Sequence, residues 1–437
     1  MDEEAADEPR EIEAAPAGAT QAEEAPPDWR RTMWAMVVIQ FIMTMSFTIL
    51  SPIMPLFLPE LGVRNPSQID LWAGILNGTT SFVAAFASPL WGRLADRKGR
   101  KLMLLRSSIA IGVFTALMGM SLNVWQFFGA RALMGAFAGF TSSAIALVAS
   151  QVPERRLGYA LGWLSTGQLV GGLVGPVVGG ALSDATGSYR IPFYATAGLT
   201  VVTAVLVWWS VNERFTPSQR AARKGSMLSS IVVLTRSAGL LPLFFVLLLA
   251  QFGVRAVQPV VTLYVQQLVG NVPAVATLAG IAFSVTGLAD VIASPFLGKR
   301  SDVIGYRRVL LICLMGASLM SLPQAFTGSY WLFVVERFGV GCFIGGVLPT
   351  ANALVGRMTS RNDRGTVFGI TASATFMGSS LGPLTGGGVA AVAGLSWVFV
   401  VTAALLFANW VWVWIAVPEY TDAGGLQPPR RRRGARG

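Results

Sequence analysis

Five ionisable side chains lie inside long apolar runs: Arg131, Arg255, Asp290, Glu336 and Arg337. A charge at bilayer depth costs at least about 2.5–3.5 kcal/mol, so such a residue faces a cavity, a partner or a proton path. Arg255 and Asp290 fall at matching depths in successive runs, counted at about 1.5 Å per residue. That placement predicts that they pair and that Asp290 exchanges a proton; a fixed structural ion pair is the alternative. Glu336 is a second carboxyl able to titrate, and it need not pair with Arg337, because adjacent helical residues point in different directions. Arg131 and Arg337 occupy equivalent places 206 residues apart. No enzyme chemistry competes with this reading. The chain has no histidine, which removes the commonest general base and metal ligand, and it has no phosphate loop or triad spacing. Cys313 and Cys342 show neither metal-site nor disulfide spacing and read as small apolar residues. Catalytic residues, cofactor and metal are therefore all expected to be absent.

Prolines mark where a ligand would sit. Pro52, Pro55 and Pro59 break the end of the first apolar run, and Pro259 breaks the seventh. Interrupted helices at corresponding places in two halves point to a binding site near the bilayer midplane. Gln40, Phe41, Phe47, Gln251, Gln258 and Tyr264 flank these breaks and would give apolar walls with a few polar contacts, as small-molecule sites require.

Between the second and third runs lies a charged turn, Gly92 to Lys101, with Arg93, Arg97, Lys98, Arg100 and Lys101 around a single acid, Asp96. A weaker copy runs from Gly298 to Arg307 and keeps Asp302. The bases are drawn to anionic head groups, and the acid can pair with a neighbour or cap a helix N-terminus. Gly92, Asp96, Arg97, Gly99, Arg100 and Asp302 thus form a candidate conformational latch, with an ordinary cytoplasmic loop as the plainer reading. Gly171, Gly175 and Gly179 recur every fourth residue, with Pro176 and Gly180 beside them, and Gly378, Gly382 and Gly386 repeat the stripe. Such stripes let helix backbones approach closely, and the proline bends the helix. A thin, bent helix between two moving halves is expected.

The elements that must hold these groups are membrane helices. Of 437 residues, 53% are hydrophobic and 13% charged, about half the charge of a soluble domain. Twelve apolar runs each approach the roughly 20 residues a spanning helix needs: 33–58, 71–91, 103–121, 125–150, 158–182, 191–211, 241–267, 274–297, 309–327, 330–355, 366–391 and 396–417. With the N-terminus in the cytoplasm, 28 of the 33 Lys and Arg fall in the tails and loops of that side, and only Arg64 and Arg190 face the other. The positive-inside rule therefore places both termini in the cytoplasm. It also explains the net charge of +11 without nucleic acid, since the bases cluster between apolar runs and not along one face of a domain. The expected organisation is a disordered acidic tail over 1–28, a six-helix bundle over 29–211, a cytoplasmic linker over 212–240, a second bundle over 241–418, and a basic tail over 419–437 that can touch lipid. The fold class is all-α: twelve transmembrane helices in two six-helix bundles.

The Gly92–Lys101 turn, Arg131 with Gly135 and Gly139, and Gly171–Gly180 centred on Gly175-Pro176 together resemble the signature motifs of the major facilitator superfamily, in particular its twelve-helix drug:proton antiporters. The likeness covers residues 30 to 418. It implies a monomeric inner-membrane (plasma-membrane) exporter of amphipathic small molecules, working by alternating access and proton antiport, with a role in multidrug efflux and antibiotic resistance. It implies that Asp96 helps hold the outward-facing state, that Arg131 takes part in proton transfer, and that Gly175 and Pro176 shape the interface. Many such antiporters carry an acid in the first helix. This chain has none between Trp34 and Pro59, which moves the proton carrier to Asp290 or Glu336. An exporter of one endogenous metabolite, such as a siderophore, and an uncoupled facilitator are the alternatives on the same fold.

Overall fold

The computed structural model describes residues 29–153, 156–213, 240–270, 272–359, 364–417, 419–421 and 425–427. The acidic tail, most of the linker and the last ten residues lie outside this set. In the first half, α1 (Trp29–Ile49) stops ahead of Pro52 and is followed by a single turn, α2 (Met54–Phe57). Pro66 opens α3 (Pro66–Lys98), where the Asn65 side chain accepts a hydrogen bond from Ser67 N at 3.0 Å, a standard helix N-cap. Only Gly99 separates α3 from α4 (Arg100–Met120), at a φ of 92° that disfavours other residues. Then come α5 (Val124–Ala136), α6 (Phe140–Gln151), α7 (Leu157–Thr186) and α8 (Ile191–Ser210).

The second half repeats this order: α9 (Leu240–Ala256), α10 (Val261–Val269), α11 (Val275–Ile304), α12 (Tyr306–Ser321), α13 (Tyr330–Ile344), α14 (Val347–Met358), α15 (Arg364–Ala393) and α16 (Leu395–Ala416). The chain departs from a purely helical fold past α16. There β1 (Glu419–Thr421) and β2 (Gly425–Gln427) pair antiparallel, with Tyr420 opposite Leu426.

The expected breaks in the first and seventh runs are present, at residues 50–53 and 257–260. Two further breaks were not expected. The fourth run divides at residues 137–139 and the tenth at 345–346, where the glycine pairs Gly139 and Gly345 fall 206 apart. Among the described residues, ten helical segments are long and apolar enough to cross a membrane. The long helices α3 and α15 are outside that set because their sequences are more polar. Exposed Trp125, Trp208, Trp209, Trp331, Trp397 and Trp414 all lie within a few residues of a helix end, the position of an interfacial aromatic belt.

The buried apolar side chains form one cluster drawn from residues 33–211, two drawn from 240–417, and a small fourth that joins the halves at Leu56, Val275 and Ala276. Within each half the glycine stripe does one job. A Cβ on Gly171, Gly175 or Gly179 would run into the backbone of α1 at Phe41, Met45 or Ile49. A Cβ on Gly378, Gly382 or Gly386 would meet α9 at Leu248, Phe252 or Ala256 in the same way. The stripe therefore packs α7 on α1 inside one half, while its neighbours Pro176 and Gly180 meet the second half. Lipid offers no hydrophobic drive for helix pairing, so this close backbone packing carries the association.

Two substitutions on one helix test the point. Gly179→Val drives a side chain into the Ile49 carbonyl and should lower the thermal stability of the purified protein by about 1–3 kcal/mol. Gly162→Val, at a site where a Cβ meets nothing within 4 Å, should change it little. Equal melting of the two variants would refute the packing role.

Candidate functional site

A cavity lies between the two halves. Phe47, Leu50, Ser51 and Met54 line it from the first broken segment, Asn77, Thr80 and Ser81 from α3, and Arg131 from α5. The second half contributes Arg255, Gln258, Ser379 and Pro383. The break after α1 turns Ser51 and Met54 inward, and the break after α9 does the same for Gln258. Arg131 is 7% exposed, and its Nε donates to the Leu76 carbonyl at 2.8 Å. Arg255 is exposed and lines the cavity, and its guanidinium donates to Gln258 Oε1 at 3.1 Å. No Asp or Glu is among the lining residues.

Of the residues expected at the substrate cavity, Phe47 and Gln258 line it. Tyr264 does not. It is 2% exposed inside the second half, where its hydroxyl donates to the carbonyls of Gln324 and Thr327 and its ring packs on Phe333 and Phe399. Gln40 is buried within the first half and donates to Thr141 Oγ1 at 3.2 Å. Phe41 and Gln251 lie on the helix faces that receive the glycine stripes.

The expected ion pair between Arg255 and Asp290 is not formed among the described residues. Their helices have different neighbours: α9 packs against α15 and α16 while α11 packs against α7 and α13. Asp290 lies against Gly345, at the break in the tenth run. Glu336 and Arg337 are also apart from the cavity, each with a buried polar atom that has no hydrogen-bond partner, Glu336 Oε2 and Arg337 Nε.

The charged turn is almost all helix. Gly92, Arg93, Arg97 and Lys98 are exposed on the end of α3; the side chain of Asp96 is outside the described set. Beyond Gly99, the first amides of α4 are capped by a residue that sequence reading missed: Glu213 accepts from Arg100 N at 2.9 Å and from Lys101 N at 2.7 Å. Lys101 Nζ reaches the Trp208 carbonyl. The second half mirrors this arrangement, with Arg307 donating to the Trp414 carbonyl and Arg308 pairing with Glu419 at 3.4 Å. Glu213 and Glu419, like Trp208 and Trp414, are 206 apart, so extending the repeat past the apolar runs would have found them. Asp302 is held inside its own half by Arg357 at 3.6 Å and by the Tyr306 hydroxyl. Arg190, an exception to the charge asymmetry, donates to the Gly119 and Ser121 carbonyls at the C-terminus of α4 and pairs with Glu60.

Among the described residues, every hydrogen bond between the halves joins α7 to α11. Asp184 Oδ2 accepts from Thr277 N at 2.7 Å and from the Thr277 hydroxyl, and Ser284 Oγ donates to the Leu173 carbonyl. The first half thus caps a helix N-terminus of the second. Backbones touch beside these bonds, at Gly180 with Ala276, at Gly280 with Pro176, and, across α3 and α15, at Gly74 with Pro383 and Gly387. All these contacts lie toward the end of the molecule away from Gly99 and Gly305.

The Major Facilitator Superfamily model matches residues 36–278 and 243–435. The Multidrug resistance protein MdtG of Serratia proteamaculans is 38% identical over 390 residues, 89% of this chain and 94% of that protein. The protein of the same name from Dickeya zeae is 37% identical over 396 residues, 90% and 96% of the two chains. Among solved structures, a bacterial homolog of the human lysosomal transporter Spinster, in an inward-facing and unoccupied conformation, superposes with a TM-score of 0.72 at 15% identity, covering 90% of this chain and 97% of that one. The nucleoside transporter NupG superposes at 0.69 with 13% identity, covering 87% and 98%.

Removing the Asp184 cap should loosen the joined end. A lost N-cap is worth about 0.5–2 kcal/mol. Asp184→Ala should therefore raise the population with the ends of α7 and α11 apart by about two- to thirty-fold, read as spin-label distances between those ends. An unchanged distance distribution would show that the glycine contacts alone hold them.

Proposed function

The chain belongs to the Major Facilitator Superfamily, and we propose that it exports amphipathic small molecules by proton antiport with alternating access. It is a multi-pass membrane transporter and not an enzyme. The single observation that carries the finer reading is the 36–38% identity, over about 90% of this chain, to relatives named multidrug resistance proteins.

In this reading α3 and α15 join the ten apolar segments to make twelve spans in two six-helix bundles, 29–211 and 241–418. Both termini face the cytoplasm, on the charge asymmetry, and the membrane is the bacterial inner membrane. The joined end of α7 and α11 is then the outer one, and the contacts there support an inward-facing resting state. Substrate enters the cavity from the cytoplasm; the seam at Asp184, Gly180 and Gly280 separates; and the turn containing Gly92, Asp96, Arg97, Gly99 and Arg100 holds the inner ends together in the outward-facing state. Asp290 and Glu336 are the carboxyls that exchange the proton. Asp290 sits on α11, which carries the contacts to the first half, and Glu336 on α13, which ends at the break in the tenth run, so protonation at either can bias helix position. One inward proton exchanged for a neutral substrate moves one charge, worth about 2.3 kcal/mol per 100 mV, which sustains roughly a 50-fold concentration ratio.

Efflux from proteoliposomes under an imposed proton gradient tests this. A neutral amphipathic dye should be expelled against its gradient, and a protonophore should abolish the expulsion. Asp290→Asn should cut gradient-driven efflux by about tenfold or more while passive counterflow persists. Full gradient-driven efflux by Asp290→Asn would remove it as proton carrier and leave Glu336→Gln as the next variant. Dye movement indifferent to the gradient would instead identify a facilitator.

A further inference from the structure

A second cavity opens at the start of α1, apart from the space between the halves. Trp29, Arg30, Met33 and Trp34 line it from α1, and Arg156 and Tyr159 line it from the start of α7. It holds about 230 Å³, several times the room one water needs. Two of the lining residues are arginines and none is an acid. Among the described residues neither guanidinium makes an ion pair or a hydrogen bond; Arg30 instead lies over the Trp29 ring at 5.5 Å. About one turn along each helix from its arginine, roughly 5 Å deeper, stands an aromatic ring, Trp34 on α1 and Tyr159 on α7. Both rings pack on Trp163, with centroids 4.8 and 6.4 Å away. Trp34 is 43% exposed and Tyr159 51%, so these rings are not core.

The scaffold does not ask for these residues. The second half packs α15 on α9 through the same glycine stripe. At the spacing of 207 that relates these helices, Arg30 and Trp34 correspond to Ser237 and Leu241, and Arg156, Tyr159 and Trp163 to Asp363, Thr366 and Ile370. The helix packing recurs and the basic, aromatic set does not. Bases and aromatic rings are both common at helix ends in membranes. That rule does not explain their convergence on one void from two helices, with no acid, in one half alone. We propose that this cavity binds an anionic phospholipid, with Arg30 and Arg156 on the phosphate oxygens and the acyl chains running past Trp34, Tyr159 and Trp163. Basic pockets between membrane helices take such head groups, and guanidinium forks match phosphate oxygens. The lining also selects net charge, because the ammonium of a zwitterionic head group finds no carboxylate there. The lipid fastens the first turns of two working elements. α1 leads into the broken segment that lines the transport cavity, and α7 carries the Asp184 and Leu173 contacts to the second half. Only the assignment of this lipid to the inner leaflet rests on the orientation given above.

The test uses the full-length protein purified in a neutral detergent, with native mass spectrometry counting the retained lipid. Dioleoyl phosphatidylglycerol, dioleoyl phosphatidylcholine and inorganic phosphate are the probes. Wild type should retain phosphatidylglycerol saturably, and about tenfold or more tightly than phosphatidylcholine. Arg30→Ser combined with Arg156→Gln should weaken that retention roughly thirtyfold, about fivefold per base. Arg64→Gln, at the other end of the molecule, should leave it unchanged. Equal retention of phosphatidylcholine by wild type overturns the proposal, and that comparison needs no variant to fold. So does phosphatidylglycerol held as tightly by the double variant, and so do adducts that grow with concentration without saturating, which mark bulk attraction to the protein's bases. Displacement of the lipid by an equal concentration of inorganic phosphate identifies a free-phosphate site and removes the lipid assignment. Neither substrate nor gradient enters this measurement. Transport lost with lipid retention intact therefore counts against the transport reading alone, and retention lost with transport intact counts against this proposal alone.

Discussion

Glycine-to-backbone contact between long helices is the interaction on which the rest of this molecule depends. In lipid there is no gain from hiding one apolar side chain behind another, so helices associate through close packing and hydrogen bonds. Three glycines of α7 admit the carbonyl side of α1, and three of α15 admit α9. That contact fixes the broken segments after α1 and α9 relative to the rest of each half. The same two helices then carry the joint between halves on an adjacent face, through Pro176 and Gly180 in one case and Pro383 and Gly387 in the other. One helix face builds a half, and the next face joins it to its partner.

The pseudo-repeat governs the scaffold, and the chemistry lies where the repeat fails. Gly135 meets Thr80 as Gly341 meets Thr286, and Lys101 reaches Trp208 as Arg307 reaches Trp414. Against this background the ionisable residues are mostly unmatched. At the spacing of 207, Arg255 corresponds to Thr48, and at 206, Asp290 and Glu336 correspond to Ala84 and Ala130. Arg131 and Arg337 are matched in sequence but not in bonding, since Arg131 Nε has a carbonyl and Arg337 Nε has none. A protein assembled from two copies of one packing plan needs asymmetry only where it handles charge.

Counting along the chain orders residues within a helix and says nothing of the direction each one faces. Counting residues from the ends of the runs placed Arg255 and Asp290 at one level, yet two helices at one level can face different neighbours. Their helices do, and the pair does not form. The same gap misplaced Tyr264, whose position after Pro259 suggested the cavity; its ring instead fills the interior of the second half, where two backbone carbonyls accept its hydroxyl. Asp184 went unnoticed because an acid just past an apolar run looks like an ordinary solvated end. Its role exists only because the N-terminus of α11, ninety-odd residues later in the chain, is brought against it.

The sequence by itself determined the membrane class, the number and order of apolar runs, their two-fold repetition, the breaks at Pro52 and Pro259, and the family. These follow from composition, run length, proline chemistry and local spacing, all of which act over a turn or two of helix or along the bilayer normal. The tertiary structure alone decided which glycines build a half and which join the halves, which acids cap which helix ends, and that Arg131 and Arg255 share one cavity without a carboxylate. Those outcomes depend on the rotation of each helix about its own axis and on its neighbours. Lateral packing sets both, and a linear pattern of apolar and charged residues leaves them open.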